Sequence, residues 1–78
     1  MPSPTYSRLL QVVSGYIDAA TAKEILDRQL SGGGCLPDTF TVADLRKVLL
    51  AVNTATKLYV PDKGKREEMV QKIQTLAV

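Results

Sequence analysis

The chain has 78 residues and a mass of 8.5 kDa, which leaves room for one domain, residues 1–78, with a core near the lower limit of self-sufficiency. Hydrophobic residues make up 45% and charged residues 23%, a balance that fits a soluble globular protein better than a disordered tail and predicts a folded chain. Ten Lys and Arg against eight Asp and Glu give a net charge of +2, too little to define a nucleic-acid or membrane binder by charge alone.

Tyr6, Leu9, Leu10 and Val13 stand at i, i+3, i+4 and i+7, the spacing of one helical face. Ser3 followed by Pro4 suits a cap and first helical position, because proline has no amide hydrogen to leave unpaired there. The first helix is placed at about 4–14, with Gly15 expected to end it at positive φ. The second is placed at about 19–30: Asp18 caps it, Ile17 staples against Ala22, and the apolar line is Ala22, Ile25, Leu26 and Leu30. Gly32 is expected to stop it, and Ser31 to Phe40 is read as a glycine-rich loop because Gly32-Gly33-Gly34 and Pro37 both oppose helix.

Thr41-Val42-Ala43-Asp44 reads as a capping box, with Phe40 and Leu45 at the staple positions. The third helix is placed at about 42–59, closed by Val60-Pro61 because the residue before proline is pushed out of helical geometry. Its predicted inner stripe is Leu45, Val48, Leu49, Val52, Ala55, Thr56 and Tyr59, and Asn53, Thr54 and Thr56 weaken its helix propensity enough to allow a bend or early end near 53–56. Asp62 caps a fourth helix at about 63–77, with Met69, Val70, Ile73, Leu76 and Ala77 inward. Nothing reads as a strand or a tight hairpin turn. The fold class predicted is all-α, a compact bundle of four short helices.

No apolar run approaches the roughly 20 residues of a membrane span, and Met1-Pro2-Ser3-Pro4 lacks the basic-then-apolar order of a signal peptide. The expectation is a cytoplasmic protein with no membrane partner. There is no histidine and one cysteine, Cys35, so an internal disulfide is impossible and the commonest general base and metal ligand is missing. Cys35 has no base to activate it and is expected as a half-buried loop residue beside Leu36. The three glycines follow no phosphate-loop pattern, and Asp38 and Asp44 are explained by turn and cap chemistry rather than calcium ligation. No catalytic residue, cofactor or metal site is expected, and the protein is not read as an enzyme.

Two binding surfaces remain. On the wheel of the third helix Leu50 points away from the apolar stripe, among Arg46, Asn53, Thr54 and Lys57, an apolar anchor in a polar frame that fits a contact with another protein or a homodimer. Burial of Leu50 by neighbouring helices is the competing expectation. The second surface follows from charge placement: residues 1–45 carry three basic and five acidic side chains, and residues 46–78 carry seven basic and three acidic. Lys63, Lys65, Arg66 and Lys72 on the fourth helix would meet phosphates in a small nucleic-acid-binding, transcription-regulatory module, although Glu67 and Glu68 oppose this. A connection of about ten residues between helices two and three is too long for a helix-turn-helix. The function expected first is a non-catalytic interaction or regulatory adaptor module using Arg46, Leu50, Asn53 and Lys57, with nucleic-acid binding as the alternative.

Overall fold

A computed structural model describes all residues from Met1 to Val78. It contains four α-helices, α1 (Pro4–Ser14), α2 (Ala19–Gly32), α3 (Val42–Lys57) and α4 (Lys63–Leu76), a 3-10 turn at Pro37–Thr39, and no strand. The helices form a ring in which α1 packs on α2, α2 on α3, α3 on α4, and α4 closes on α1. The all-helical bundle read from apolar spacing is therefore the fold.

Each helix starts where its cap residue can hold a free amide. Ser3 Oγ accepts from the Tyr6 amide at 3.1 Å, and Asp18 Oδ2 from that of Thr21 at 3.3 Å. Thr41 and Asp44 complete a reciprocal capping box, at 3.2 and 3.1 Å, and Asp62 Oδ1 accepts from the Lys65 amide at 2.9 Å. Phe40, Leu45, Ile17 and Ala22, the staple residues of α3 and α2, are all buried.

The helix ends differ from expectation. Gly15 has φ −72°, because the chain leaves α1 through a right-handed turn in which the Tyr16 and Ile17 amides both donate to the Val13 carbonyl, and no left-handed residue is required. Helix α2 does not stop at Leu30 but continues to Gly32, and the left-handed position falls on Gly34, φ +74°. The Cys35 amide then donates back to the Leu30 carbonyl at 2.8 Å, closing the helix end in the manner of a Schellman turn. A Cβ added to Gly33 would lie 2.5 Å from Val48 Cγ1, so this glycine lets the end of α2 approach α3. The irregular stretch is correspondingly shorter than the predicted ten residues. Helix α3 runs through 53–56 without interruption, and buried Thr56 satisfies its hydroxyl by donating to the Val52 carbonyl at 2.7 Å. It ends at Lys57 rather than 59, where the Tyr59 and Val60 amides turn back to Thr56 and Lys57. Once the helix has ended its phase no longer applies, so Val60 points inward and Tyr59, predicted for the core, is half exposed.

Seventeen buried apolar residues from all four helices and the connections form one core. Tyr6 and Phe40 meet edge to face, with ring centroids 6.4 Å apart, the arrangement favoured by the aromatic quadrupole. Cys35 belongs to this core rather than beside Leu36, which is exposed. The buried Tyr6 hydroxyl donates to Asp27, whose carboxylate also receives Lys23 at 2.6 Å. Burial, the hydrogen bond to Asp27 and the charge of Asp27 together push the Tyr6 phenol well above its ordinary value. Burial also pushes the Asp27 carboxyl up, but the hydrogen bonds from Lys23 and Tyr6 and the Lys23 charge outweigh it and leave Asp27 below its usual range.

Gly33→Ala, which collides with the stiff Val48 side chain, should cost about 1–3 kcal/mol in urea unfolding, and Gly34→Ala about 1–2 kcal/mol for its left-handed backbone. Gly32→Ala, with open space around it, should be neutral or stabilising by up to about 1 kcal/mol. The raised Tyr6 phenol favours the folded state below the ordinary tyrosine value of 10.0, so this contribution is lost as pH rises above that value toward the folded one. Unfolding free energy measured between neutral pH and pH of about 11 should fall in the wild type and stay flatter in Tyr6→Phe, which loses about 1–2 kcal/mol at neutral pH.

Candidate functional site

The outer surface of α3 and the adjoining face of α4 carry the chemistry that the core does not use. Leu50 is 81% exposed in the middle of α3, and Leu58 is 82% exposed at its end, whereas Leu45, Val48, Val52 and Thr56 are buried. Neighbouring helices grip α3 from the other side and do not cover Leu50. Lys57, seven residues and two turns after Leu50, lies on the same line of the helix.

Two residues predicted to frame Leu50 have other places. Asn53 is buried, at 7% exposure, and its Oδ1 accepts no hydrogen bond from the protein. At about 100° per residue Asn53 is turned roughly 60° from Leu50, toward the edge of α3 that meets α4, so it is not part of an exposed rim. Arg46 stands near that edge too, and its Nε donates to the Ala77 carbonyl at 2.6 Å. It therefore supplies a donor to the end of α4, where the last carbonyls lack partners within the helix, and ties the start of α3 to the end of its antiparallel neighbour.

Between these helices lies a cleft of about 520 Å³. Lys57 contributes from α3; Lys63, Arg66, Glu67 and Val70 contribute from α4, and Gln71 and Gln74 extend the α4 wall. Val70 is the one hydrophobic lining residue. The cleft thus brings together Lys57 from the predicted protein-binding set with Lys63 and Arg66 from the predicted nucleic-acid set, a juxtaposition that requires the α3–α4 packing.

The four cations proposed for phosphate contact do not share one face. Lys65 and Lys72 fall within about 20° of each other on the α4 wheel and nearly opposite Lys63. Lys72 is engaged elsewhere: its Nζ sits 3.2 Å from Glu68 and 5.3 Å from the centre of the Tyr16 ring, while the Tyr16 hydroxyl donates to Glu68 at 2.5 Å. Hydrogen bonds from Tyr16 and Lys72 hold the Glu68 carboxyl below its usual range, and Tyr16 and Glu68 hold the Lys72 ammonium above its own. This triad clamps the α1–α2 turn to α4 on the side away from the cleft. Neither the Arg46 strap nor the Tyr16 clamp was anticipated from the sequence, because both join residues at least thirty positions apart.

No helix is long and apolar enough to cross a membrane, and no three His, Cys, Asp or Glu side chains converge as a metal-binding group. No family model, curated protein or solved structure matches the chain.

If Arg46 fastens the end of α4, Arg46→Met should keep the aliphatic packing but release the Ala77 carbonyl. The expected result is faster amide exchange confined to the last turn of α4 and a stability loss of about 1 kcal/mol, since the side chain is partly in water.

Proposed function

We propose that this protein is a non-catalytic docking module that regulates or scaffolds by binding another protein through the outer face of α3 and its border with α4. The observation that carries the reading is Leu50: a large apolar side chain, 81% exposed at the centre of the longest helix, on the same helical line as Lys57. An anchor of this kind gains its full apolar transfer energy, about 1.5–3 kcal/mol, only when a partner covers it. Exposed Leu58 enlarges the apolar contact at the helix end. Charge favours a different chain as the partner over a second copy, because a two-fold contact through this face would set Lys57, Lys63 and Arg66 of one copy near their equivalents in the other. The nucleic-acid alternative draws support from those same cations but loses it where Glu67 joins the cleft and Lys65 and Lys72 lie on another side.

A photo-crosslinking amino acid at position 50, compared with one at exposed Gln11 on α1, tests the reading in cells of the native host. Discrete adducts from position 50, competed away by unlabelled wild type but not by Leu50→Asp of equal helicity, are the expected result. The substitution should change folding stability by no more than about 0.5 kcal/mol at so exposed a site. Equal labelling from both positions, or competition by Leu50→Asp as good as by wild type, would remove the α3 face from consideration.

A further inference from the structure

We propose that the α3–α4 cleft recognises an acidic segment of a partner protein, placing its carboxylates on Lys57, Lys63 and Arg66 and an apolar side chain on Val70. This rests on the docking function above and adds the chemistry of the partner.

The first support is unspent charge. The ion pairs within the chain engage Lys23, Arg28, Lys72 and the N-terminal ammonium, so the three cations of the cleft have no carboxylate partner within salt-bridge distance. Glu67 is the only acidic residue in the lining and leaves the cleft cationic. Three like charges brought to one concave surface repel one another and raise the local potential, which a carboxylate-bearing ligand relieves.

The second support is a local conflict with helix stability. Helix α4 opens Lys63-Gly64-Lys65-Arg66, with no acidic residue in its first turn. Cations at a helix N-terminus oppose the macrodipole and glycine inside a helix costs order, so residues 63–66 work against the Asp62 cap that holds this end of the helix. Two of these cations, Lys63 and Arg66, line the cleft. An arrangement that costs stability and forms no internal ion pair is expected where a surface serves recognition.

The third support is size and surface. A cleft of about 520 Å³ with an apolar residue in its wall, bordered by a helix that exposes Leu50, accommodates a few side chains of a peptide segment. A nucleic-acid backbone instead calls for a continued track of cations, and Lys65 and Lys72 do not extend one from the cleft. A second copy of this chain is disfavoured by the like-charge argument already given.

A random peptide library displayed on phage and panned against the full chain at low ionic strength provides the probe without presuming a sequence. Enriched peptides should be net acidic with apolar residues interspersed, and their affinity should fall about tenfold or more for Lys57→Glu combined with Arg66→Glu. Arg8→Glu, a remote charge reversal on α1, should leave binding unchanged. Lys63→Glu should likewise weaken binding about tenfold while raising Tm by about 2–5 °C, because it relieves the first turn of α4. Enrichment of neutral or basic peptides, enrichment of none, indifference to the cleft reversals, displacement of the peptides by a short DNA duplex at equal concentration, or a lower Tm for Lys63→Glu would each overturn the proposal. Peptides that lose affinity with Leu50→Ala but not with the cleft reversals would overturn this inference alone and leave the docking function standing. Indifference to Leu50→Ala and to the cleft reversals together would sink both.

Discussion

The inner stripe of α3 (Leu45, Val48, Val52 and Thr56) is held between α2 and α4, and this burial decides what the remaining surfaces do. With one side of α3 committed to the core, Leu50 has no intramolecular cover. The same packing lets Gly33 meet Val48 without a clash and brings Arg46 to the last carbonyls of α4. A chain this small has little apolar area to spare, so a leucine left in water at the centre of its longest helix is a cost that a binding partner would remove.

Polar groups complete the bundle where apolar burial is thin. The Tyr6–Asp27–Lys23 cluster fastens α1 to α2, and Tyr16–Glu68–Lys72 fastens their connection to α4. Each cluster joins a phenol to a carboxylate already paired with a lysine four residues away. The phenol body packs while its hydroxyl reaches the polar edge, which lets one residue serve both the core and its margin. The cleft cations stand apart from this economy, since they neutralise nothing within the chain. On α4, Lys72 is paired with Glu68 on the side away from the cleft, whereas Lys63 and Arg66 beside α3 have no carboxylate partner.

The predicted site residues were redistributed by the packing. Leu50 and Lys57 keep the exposed positions their helical phase implied, whereas Asn53, only 60° or so away, passes into the interior. Wheel angles state where a side chain leaves the helix, but the edge at which a neighbour begins to cover it depends on the crossing of two helices. The basic residues of α4 divide for the same reason: Lys63 and Arg66 border α3, while Lys72 faces the α1–α2 turn.

By itself the sequence determined the elements that depend on neighbours a few positions apart. The four helices and the Ser3, Asp18, Thr41 and Asp62 caps follow from helical spacing and local hydrogen bonding and appear in the structure, as do the apolar stripes except at Tyr59, half exposed beyond the end of α3 at Lys57, and Val70, which lines the cleft. Tertiary structure decided which glycine turns left-handed and which permits close approach, that Asn53 is covered, and that Lys57 joins Lys63 and Arg66 around one cleft. Local order is set by interactions within one or two helical turns, whereas the cleft exists only because two antiparallel helices meet along a particular edge, and no spacing within either helix specifies that edge.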